Sequence, residues 1–512
     1  MTEKLFLYLA MKFFRFRFEY FLSTICILFI IAMISVSWVG FLETDDLAYS
    51  RAAEGWISAP PFLGSSHWAL RHFIVLPLAA SFRVFGQSEA SLAVPTLFYG
   101  FGLLVLTFLC VRQTAGSLAG TFASTFVASI PAFASGATTV YTDVPEAFFV
   151  TASLWAFSFA IGSQRQAMFV LAGLLAGCGF LTRETAIVLP VLYLILFLAG
   201  YGGRGNYLWM GTAFLAIVGI DTLYLWLMSG DPFWRTHITQ RGIAGDSPYT
   251  PGLKAPAGGD DPLKLYSLPR SLQALTTVFA SPAIGLLPWF GVPAAAYSLQ
   301  PPISGDARKA ASLFALLAIL WFLLLSFVFM SLWLIPRYQI VTVSALALPS
   351  SLVLTGWLDR GHRMRVAAVL LPLLAGSLIL AAAPEHQPMF GEQALAGFMR
   401  DESEMVLTDP ATLRGSGWLL EITGAGNRVV AGLPSPGILY YVNHSPRRRL
   451  PDDWPIREIP TGATIIKSFV QQPGIVARTA AWFRLDRILP STIWKKVAPP
   501  LHRAEMVRMP AG

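Results

Sequence analysis

The run "WALRHFIVLPLAASFRVFG", residues 68–86, decides how the rest of the chain is threaded. It is apolar enough to enter a bilayer, but Arg71, His72, Pro77 and Arg83 interrupt it. A spanning helix needs about 20 mostly apolar residues, because about 1.5 Å of rise per residue must cover a roughly 30 Å hydrocarbon core. Eleven other runs are candidates, near 20–41, 91–111, 117–135, 146–162, 166–181, 186–200, 207–228, 272–298, 310–332, 338–357 and 366–383. If 68–86 lies along the interface, Lys4, Lys12, Arg15, Arg17, Arg112, Arg165, Arg204, Arg308, Lys309, Arg360, Arg363 and Arg365 all fall on one face. Basic residues beside spans favour the cytoplasmic side. If 68–86 crosses, every basic loop after the first changes face. Parity therefore predicts about eleven transmembrane helices, a cytoplasmic N-terminus, an outer C-terminus, and a juxtamembrane helix at 68–86.

The composition agrees with that threading. Of 512 residues, 55% are hydrophobic and 13% charged, with mean hydropathy +0.58. Charged residues ordinarily make up about a quarter of a soluble chain, so a polytopic membrane protein is expected. The net charge of +8 sits mostly in short loops between apolar runs, which orients spans and gives no footprint for nucleic acid. Cys26, Cys110 and Cys178 all lie inside apolar runs, so no disulfide framework is implied.

Three larger pieces face outward on this topology: 42–90, 229–271 and the tail from about 384. The second is rich in Gly, Pro and Asp and reads as a long loop, of a length that suits a lid. In the tail, "EMVLTDPATL" and "NRVVAGLPSPGILYYV" each read as a short strand, a turn and a helical stretch. Such units predict a small α/β domain. The expected division is 1–383, transmembrane, and 384–512, an outer α/β domain.

Four polar clusters emerge on that outer face. "FLETDDLAYSRAAEGW" (41–56) carries Glu43, Asp45 and Asp46; "VYTDVPEAFF" carries Asp143 and Glu146; "GFLTRETAIVLP" carries Arg183 and Glu184; "LIPRYQIVTV" carries Arg337 and Tyr338. The 68–86 region adds His67, Arg71 and His72. Each has a bland reading: boundary acids, with Glu43 the plainest case; a helix cap at Asp143 worth about 1 kcal/mol; an interfacial Arg183–Glu184 pair; a snorkelling Arg337. Their coincidence on one face suits an anionic amphiphile held at headgroup level. Arg grips phosphate through a planar fork, and a carboxylate serves as general base or helps hold a metal ion.

These segments resemble, in order and spacing, the C-type superfamily of integral-membrane glycosyltransferases. The nearer likeness is to the branch holding protein O-mannosyltransferases and the transferases that put aminoarabinose or galacturonic acid on lipid A. "TDDLAYSRAAEGW" resembles that family's acidic pair after the first span, and 68–86 its juxtamembrane helix. "GQSEASLAVPTLFYGFGLL", "YTDVPEAFF", "GFLTRETAIVLP" and "PRYQIVTVSALALP" are similar to its later motifs. Two departures stand out: Val94 or Pro95 replaces a usual Arg, and "APPFLGSSHWALRH" replaces an E-K-P-P-like segment.

The resemblance implies inverting transfer of a sugar from a polyprenyl-phosphate donor to a lipid, glycan or protein acceptor at the periplasmic face of a bacterial inner membrane. It implies catalytic roles for Asp45, Asp46 and Asp143, and substrate binding by Glu146, Arg183, Glu184, Arg337, Tyr338, His67 and Arg71. A divalent metal ion is a candidate cofactor that the sequence leaves open. The rival reading is a transporter or lipid flippase, for which Asp221, the one acid expected inside a span, is the relevant residue. A third is a non-catalytic sensor or scaffold presenting the tail.

Overall fold

The computed structural model describes residues 20–243, 268–300, 305–329, 334–383, 387–445, 454–456 and 458–510. The chain divides into two compact units. The first holds the chain up to Trp38, Ala48–Val84 and Ser91–Ala381; the second holds Val39–Leu47, Phe85–Ala90 and Ala382–Gly512. The second unit thus takes up two short loop segments as well as the tail, where the sequence predicts one break at 383/384.

The first unit is helical. Helix α1 (Tyr20–Val36) is followed by α2 (Asp45–Ser58), α3 (His72–Phe85), α4 (Glu89–Ala115), α5 (Ser117–Ala128), α6 (Pro131–Gly136), α7 (Asp143–Ser163) and α8 (Gln166–Thr182). Then come α9 (Val188–Leu198), α10 (Arg204–Ser229), α11 (Trp234–Ile243), α12 (Arg270–Phe279), α13 (Leu287–Ser298), α14 (Gly305–Leu323), α15 (Ile340–Ala345), α16 (Ala347–Asp359) and α17 (Arg363–Ala382). Among the described residues five helices are long and apolar enough to cross a membrane: α4, α7, α10, α17, and α14 with its π-helical extension to Val328. The pair 336–345 and 347–359, bent by 42°, makes a sixth if counted as one span. The protein is a multi-pass membrane protein.

Helix α3 has 14 residues, which at about 1.5 Å each is too short for the hydrocarbon core. It buries Ile74, Val75, Leu78, Ala79 and Phe82 and leaves Leu76, Val84 and Phe85 exposed. Elsewhere Pro and Gly cut the expected spans. The run 117–135 breaks before Pro131, and 272–298 splits between α12 and α13, where Pro282 and Gly285 (φ 79°) lie. A proline lacks the N–H that continues a helix. Eleven spans are therefore not reached on helix length alone. In the predicted 229–271 loop, α11 forms; residues 244–267 lie outside the described set.

Close helix approach rests on small residues. A Cβ at Gly173 of α8 would sit 2.0 Å from the Met210 carbonyl oxygen of α10, and one at Gly177 would meet Ile217 at 3.0 Å. Where no hydrophobic effect drives helices together, such contacts supply the packing.

In the second unit, α18 (Phe390–Asp401), β1 (Val406–Thr408), α19 (Pro410–Ile422), β2 (Val429–Ala431), β3 (Leu439–Asn443), β4 (Thr464–Val470), α20 (Ile475–Trp482), α21 (Ser491–Val497) and β5 (Arg503–Arg508) build an α/β fold. The sheet order is β2-β1-β3-β5-β4, parallel through β2, β1 and β3 and antiparallel beyond. "EMVLTDPATL" is the expected strand and helix, β1 and α19. "NRVVAGLPSPGILYYV" is not; it is two strands, because Leu439–Asn443 is a wholly buried central strand rather than a helix. Phe41 stacks on Trp418 with ring centroids 4.8 Å apart, and Gln393 donates to Glu89 at 2.7 Å, which seats both loop segments in this unit.

Gly173→Val is expected to drive α8 from α10 and lower stability by about 1–3 kcal/mol. Gly162→Ala in α7, where a Cβ meets nothing within 4 Å, is expected to be neutral or slightly stabilising. Thermal unfolding of the detergent-solubilised chain measures both.

Candidate active site

Asp143 opens α7 but caps nothing: Thr142 is the N-cap residue, and no side chain caps this end. Its carboxylate is instead buried, 3% exposed, between two guanidiniums. Arg183 Nη1 donates to Oδ1, and Arg337 Nε lies 3.3 Å from Oδ2. Glu146, three residues on and thus on the same helix face, is equally buried. Its Oε2 lies 3.6 Å from Arg183 Nη1, and the Thr185 hydroxyl donates to its other oxygen. Each arginine also lies over an aromatic ring: Arg183 over Tyr338 at 3.8 Å and Arg337 over Tyr141 at 3.9 Å. Stacking on a π face leaves the in-plane N–H groups free to bond carboxylates.

The backbone explains why Arg183 and Glu184 part company. Helix α8 ends at Thr182, Arg183 is extended (φ −159°, ψ 136°), and a 3-10 turn over Glu184–Ile187 follows. Neighbours in an extended stretch point to opposite sides. Arg183 therefore meets Asp143, while Glu184 lies 3.8 Å from Arg71 Nη2 and 3.8 Å from Arg235 Nη1. They are not the interfacial pair that their adjacency suggests.

Arg71 donates to the Tyr49 hydroxyl, 2.5 Å away. It is also close enough to Glu146 and Arg183 to act on both charges, so the two groups of ions form one electrostatic site. Asp221 of α10 bonds His72 Nδ1 at 2.7 Å and Arg235 Nε at 3.0 Å, and Arg235 also donates to the Leu70 carbonyl. His67 stacks on Trp68 within electrostatic reach of Glu184. Arg235, Tyr49, Tyr141 and Thr185 are the residues that the sequence reading misses. Arg235 has a faint signal, since 234–241 holds no Gly or Pro within a segment otherwise full of both.

The first-loop acids belong to the second unit. Asp46 is fully buried, and its carboxylate accepts from the backbone N–H of Leu42 (2.5 Å), Thr44 (2.6 Å) and Leu47 (3.1 Å). It ties the bend that enters α2. Burial pushes its carboxyl up to about 6 against those donors. Asp45, half-buried, begins α2. Glu43 is no solvated boundary residue: it lies 4.0 Å from Arg414 and packs where a Cβ on Gly415 would touch it. Burial raises its carboxyl to about 7, with Arg414 opposing and Glu392 and Asp46 adding.

Among the described residues no group of three or more His, Cys, Asp or Glu side chains could hold a metal ion. Asp143 and Glu146 share Arg183, so a cation placed between them would meet a guanidinium.

Residues 73–226 match the family model described as dolichyl-phosphate-mannose-protein mannosyltransferase. That stretch runs from α3 into α10 and includes Asp143, Arg183 and Asp221, but neither Asp45 nor Arg337. No curated protein sequence matches the chain. Among solved structures, ArnT from Cupriavidus metallidurans in the apo state superposes with TM-score 0.55 at 13% identity, over 81% of this chain and 92% of that one. ArnT bound to undecaprenyl phosphate gives TM-score 0.55 and 13% identity over 82% and 92%. The chain thus shares the fold of ArnT, and its residues 73–226 match the mannosyltransferase family model. At 13% identity the likeness is one of fold alone.

Arg183→Met leaves Asp143 and Glu146 buried with one cation fewer. Stability is expected to fall by about 3–5 kcal/mol, and Asp143→Asn in the same chain is expected to return part of it. Chemical unfolding in detergent, run as a double-mutant cycle, measures the coupling.

The pH dependence has a definite sign. Glu43 and Asp46 hold their protons to higher pH when folded, from 4.5 to about 7 and from 3.8 to about 6, so folding takes up protons in those windows. Stability is greatest below them and falls as pH rises through them. The fall between about pH 6 and 7 is expected to vanish in Glu43→Gln, while the fall below pH 6 persists. Melting temperatures across that range decide it.

Proposed function

We propose that this chain transfers a sugar from a polyprenyl-phosphate donor to an envelope lipid, glycan or protein acceptor at the periplasmic face of the bacterial inner membrane, with inversion at the anomeric carbon. The N-terminus is then cytoplasmic, residues 1–383 supply the membrane-embedded catalytic body, and 384–512 form a periplasmic domain that also takes up 39–47. The carrying observation is the lattice around Asp143: two guanidiniums backed by aromatic rings, a carboxylate between them, all inside an apolar bundle with the C-type fold.

The acceptor hydroxyl oxygen attacks the anomeric carbon opposite the phosphate. The carbon–oxygen bond to the phosphate breaks, and the hydroxyl proton passes to a base. Asp45 is that base, Asp46 sets its position by holding the loop, and Asp143 orients the cations. Arg337, a quarter exposed and with Nε 3.3 Å from Asp143, is the guanidinium assigned to the departing phosphate. Arg183, buried against Asp143, Glu146 and Tyr338, acts by positioning rather than by meeting the phosphate. Arg71, Glu184 and His67 line the same charged field and bind substrate polar groups, with Tyr338 backing Arg183.

Asp45→Asn and Asp143→Asn are expected to fold and to lose glycosyl transfer, Asp45→Asn by about 10²–10⁴-fold if it is the general base. The readout is mass spectrometry of lipid A and envelope glycans from a deletion strain carrying each variant. Wild-type products from either variant would remove that residue from the mechanism.

A further inference from the structure

The second unit carries an exposed apolar tip that the glycosyl-transfer reading does not use. It lies between β4 and β5, where α20 ends and a 3-10 turn (Leu485–Arg487) leads on to α21. Trp482 is 77% exposed, Ile488 74%, Phe483 59% and Ile475 54%. Trp482 and Phe483 pack edge-on, with ring centroids 4.5 Å apart. Arg484, at φ 54°, takes a left-handed turn straight after them, so a sharp bend presents the aromatic pair. Just before it in sequence, edge strand β4 exposes Ile465, Ile466 and Val470.

The charges around the tip are one-sided. Between 475 and 503 the sequence has Arg478, Arg484, Arg487, Lys495, Lys496 and Arg503 against Asp486 alone. Arg478, Arg484, Arg487 and Lys495 are exposed. Aromatic and aliphatic side chains ringed by Arg and Lys partition to the boundary between acyl chains and headgroups. A soluble domain would not ordinarily leave such a patch open to water.

We propose that this tip is a membrane-surface anchor that seats the second unit on anionic lipid headgroups. Two facts favour lipid over protein as the occupant. The unit is tethered at the membrane, since spanning helix α17 ends at Ala382 and α18 starts at Phe390, so the bilayer is present at high effective concentration. A second copy meeting the tip across a two-fold axis would oppose Arg478, Arg484 and Arg487 to themselves. Anionic headgroups complement them.

The test uses the full chain, with Cys26, Cys110 and Cys178 replaced by Ala, one copy per nanodisc. A spin label is placed at Ile488→Cys, or at Ala431→Cys on exposed strand β2 at the opposite edge of the sheet. In phosphatidylglycerol discs the label at 488 is expected to lose access to a water-soluble nickel chelate several-fold and to gain access to oxygen, while 431 stays wet. Arg484→Glu with Arg487→Glu is expected to reverse that protection, as is phosphatidylcholine alone. Equal chelate access at 488 and 431 in phosphatidylglycerol overturns the anchor. Protection that survives charge reversal overturns the headgroup assignment. Protection seen only with two copies per disc assigns the tip to a second copy and overturns it too.

Discussion

Ionised groups can enter an apolar bundle only in company, and that constraint organises this molecule. An unpaired carboxylate in a low-dielectric interior costs several kcal/mol even after relaxation. The first unit answers by bringing Asp143, Glu146, Glu184 and Asp221 together with Arg71, Arg183, Arg235 and Arg337, so that each acid has a guanidinium within 4.0 Å. The backbone is shaped to serve those pairings. Helix α8 stops where Arg183 must turn aside, α7 starts where Asp143 meets two cations, and Arg235 ties α11 to α10 and to the turn before α3. Asp143 also stands at the positive end of the α7 dipole, which favours its charge.

The same constraint bears on the rival reading. A transport pathway calls for ionisable groups that exchange partners as they load and release. Asp221, the candidate for that role, is bonded by His72 and by two nitrogens of Arg235. Its partners come from the first residue of α3 and from α11, so it joins elements of the bundle.

Much of this was legible in the sequence, for reasons that can be named. The polar clusters stand out because charge is rare here, so any Asp or Arg beside an apolar run carries weight. Parity separated 68–86 from the spans because only a non-crossing run keeps the basic loops on one face. What sequence could not supply was partnership across the chain. Arg183 and Glu184 are adjacent, yet they serve different neighbours because one residue is extended. Arg235 is masked by a Gly- and Pro-rich setting, and Tyr141 and Tyr338 look like ordinary interfacial aromatics until each is found under a guanidinium. The helix breaks near Pro131 and Pro282 were visible as residues, but hydropathy averages over them. Glu43 was misjudged because its partner, Arg414, lies hundreds of residues away in another segment of the same unit.

The division of labour among the acids follows from their contacts. Asp143 has both oxygens engaged by guanidiniums, and taking a proton there would break the pairing that holds α7 to α8. Asp46 accepts from three backbone N–H groups of its own loop, which hold the bend into α2, while burial pushes its carboxyl up to about 6. Glu43 sits behind Gly415 and pairs with Arg414 at 4.0 Å. Each of these carboxylates has a structural task in its own surroundings. Asp45, half-buried at the first turn of α2 and adjacent to the residue that fixes the loop, combines partial access with a position set by its neighbours. A general base needs that combination: enough solvent to exchange its proton, and enough surrounding structure to meet a hydroxyl in one geometry. In the glycosyl-transfer reading proposed above, Asp45 is the base for a hydroxyl acceptor; for a phosphate acceptor, already anionic, the same carboxylate would orient and not deprotonate.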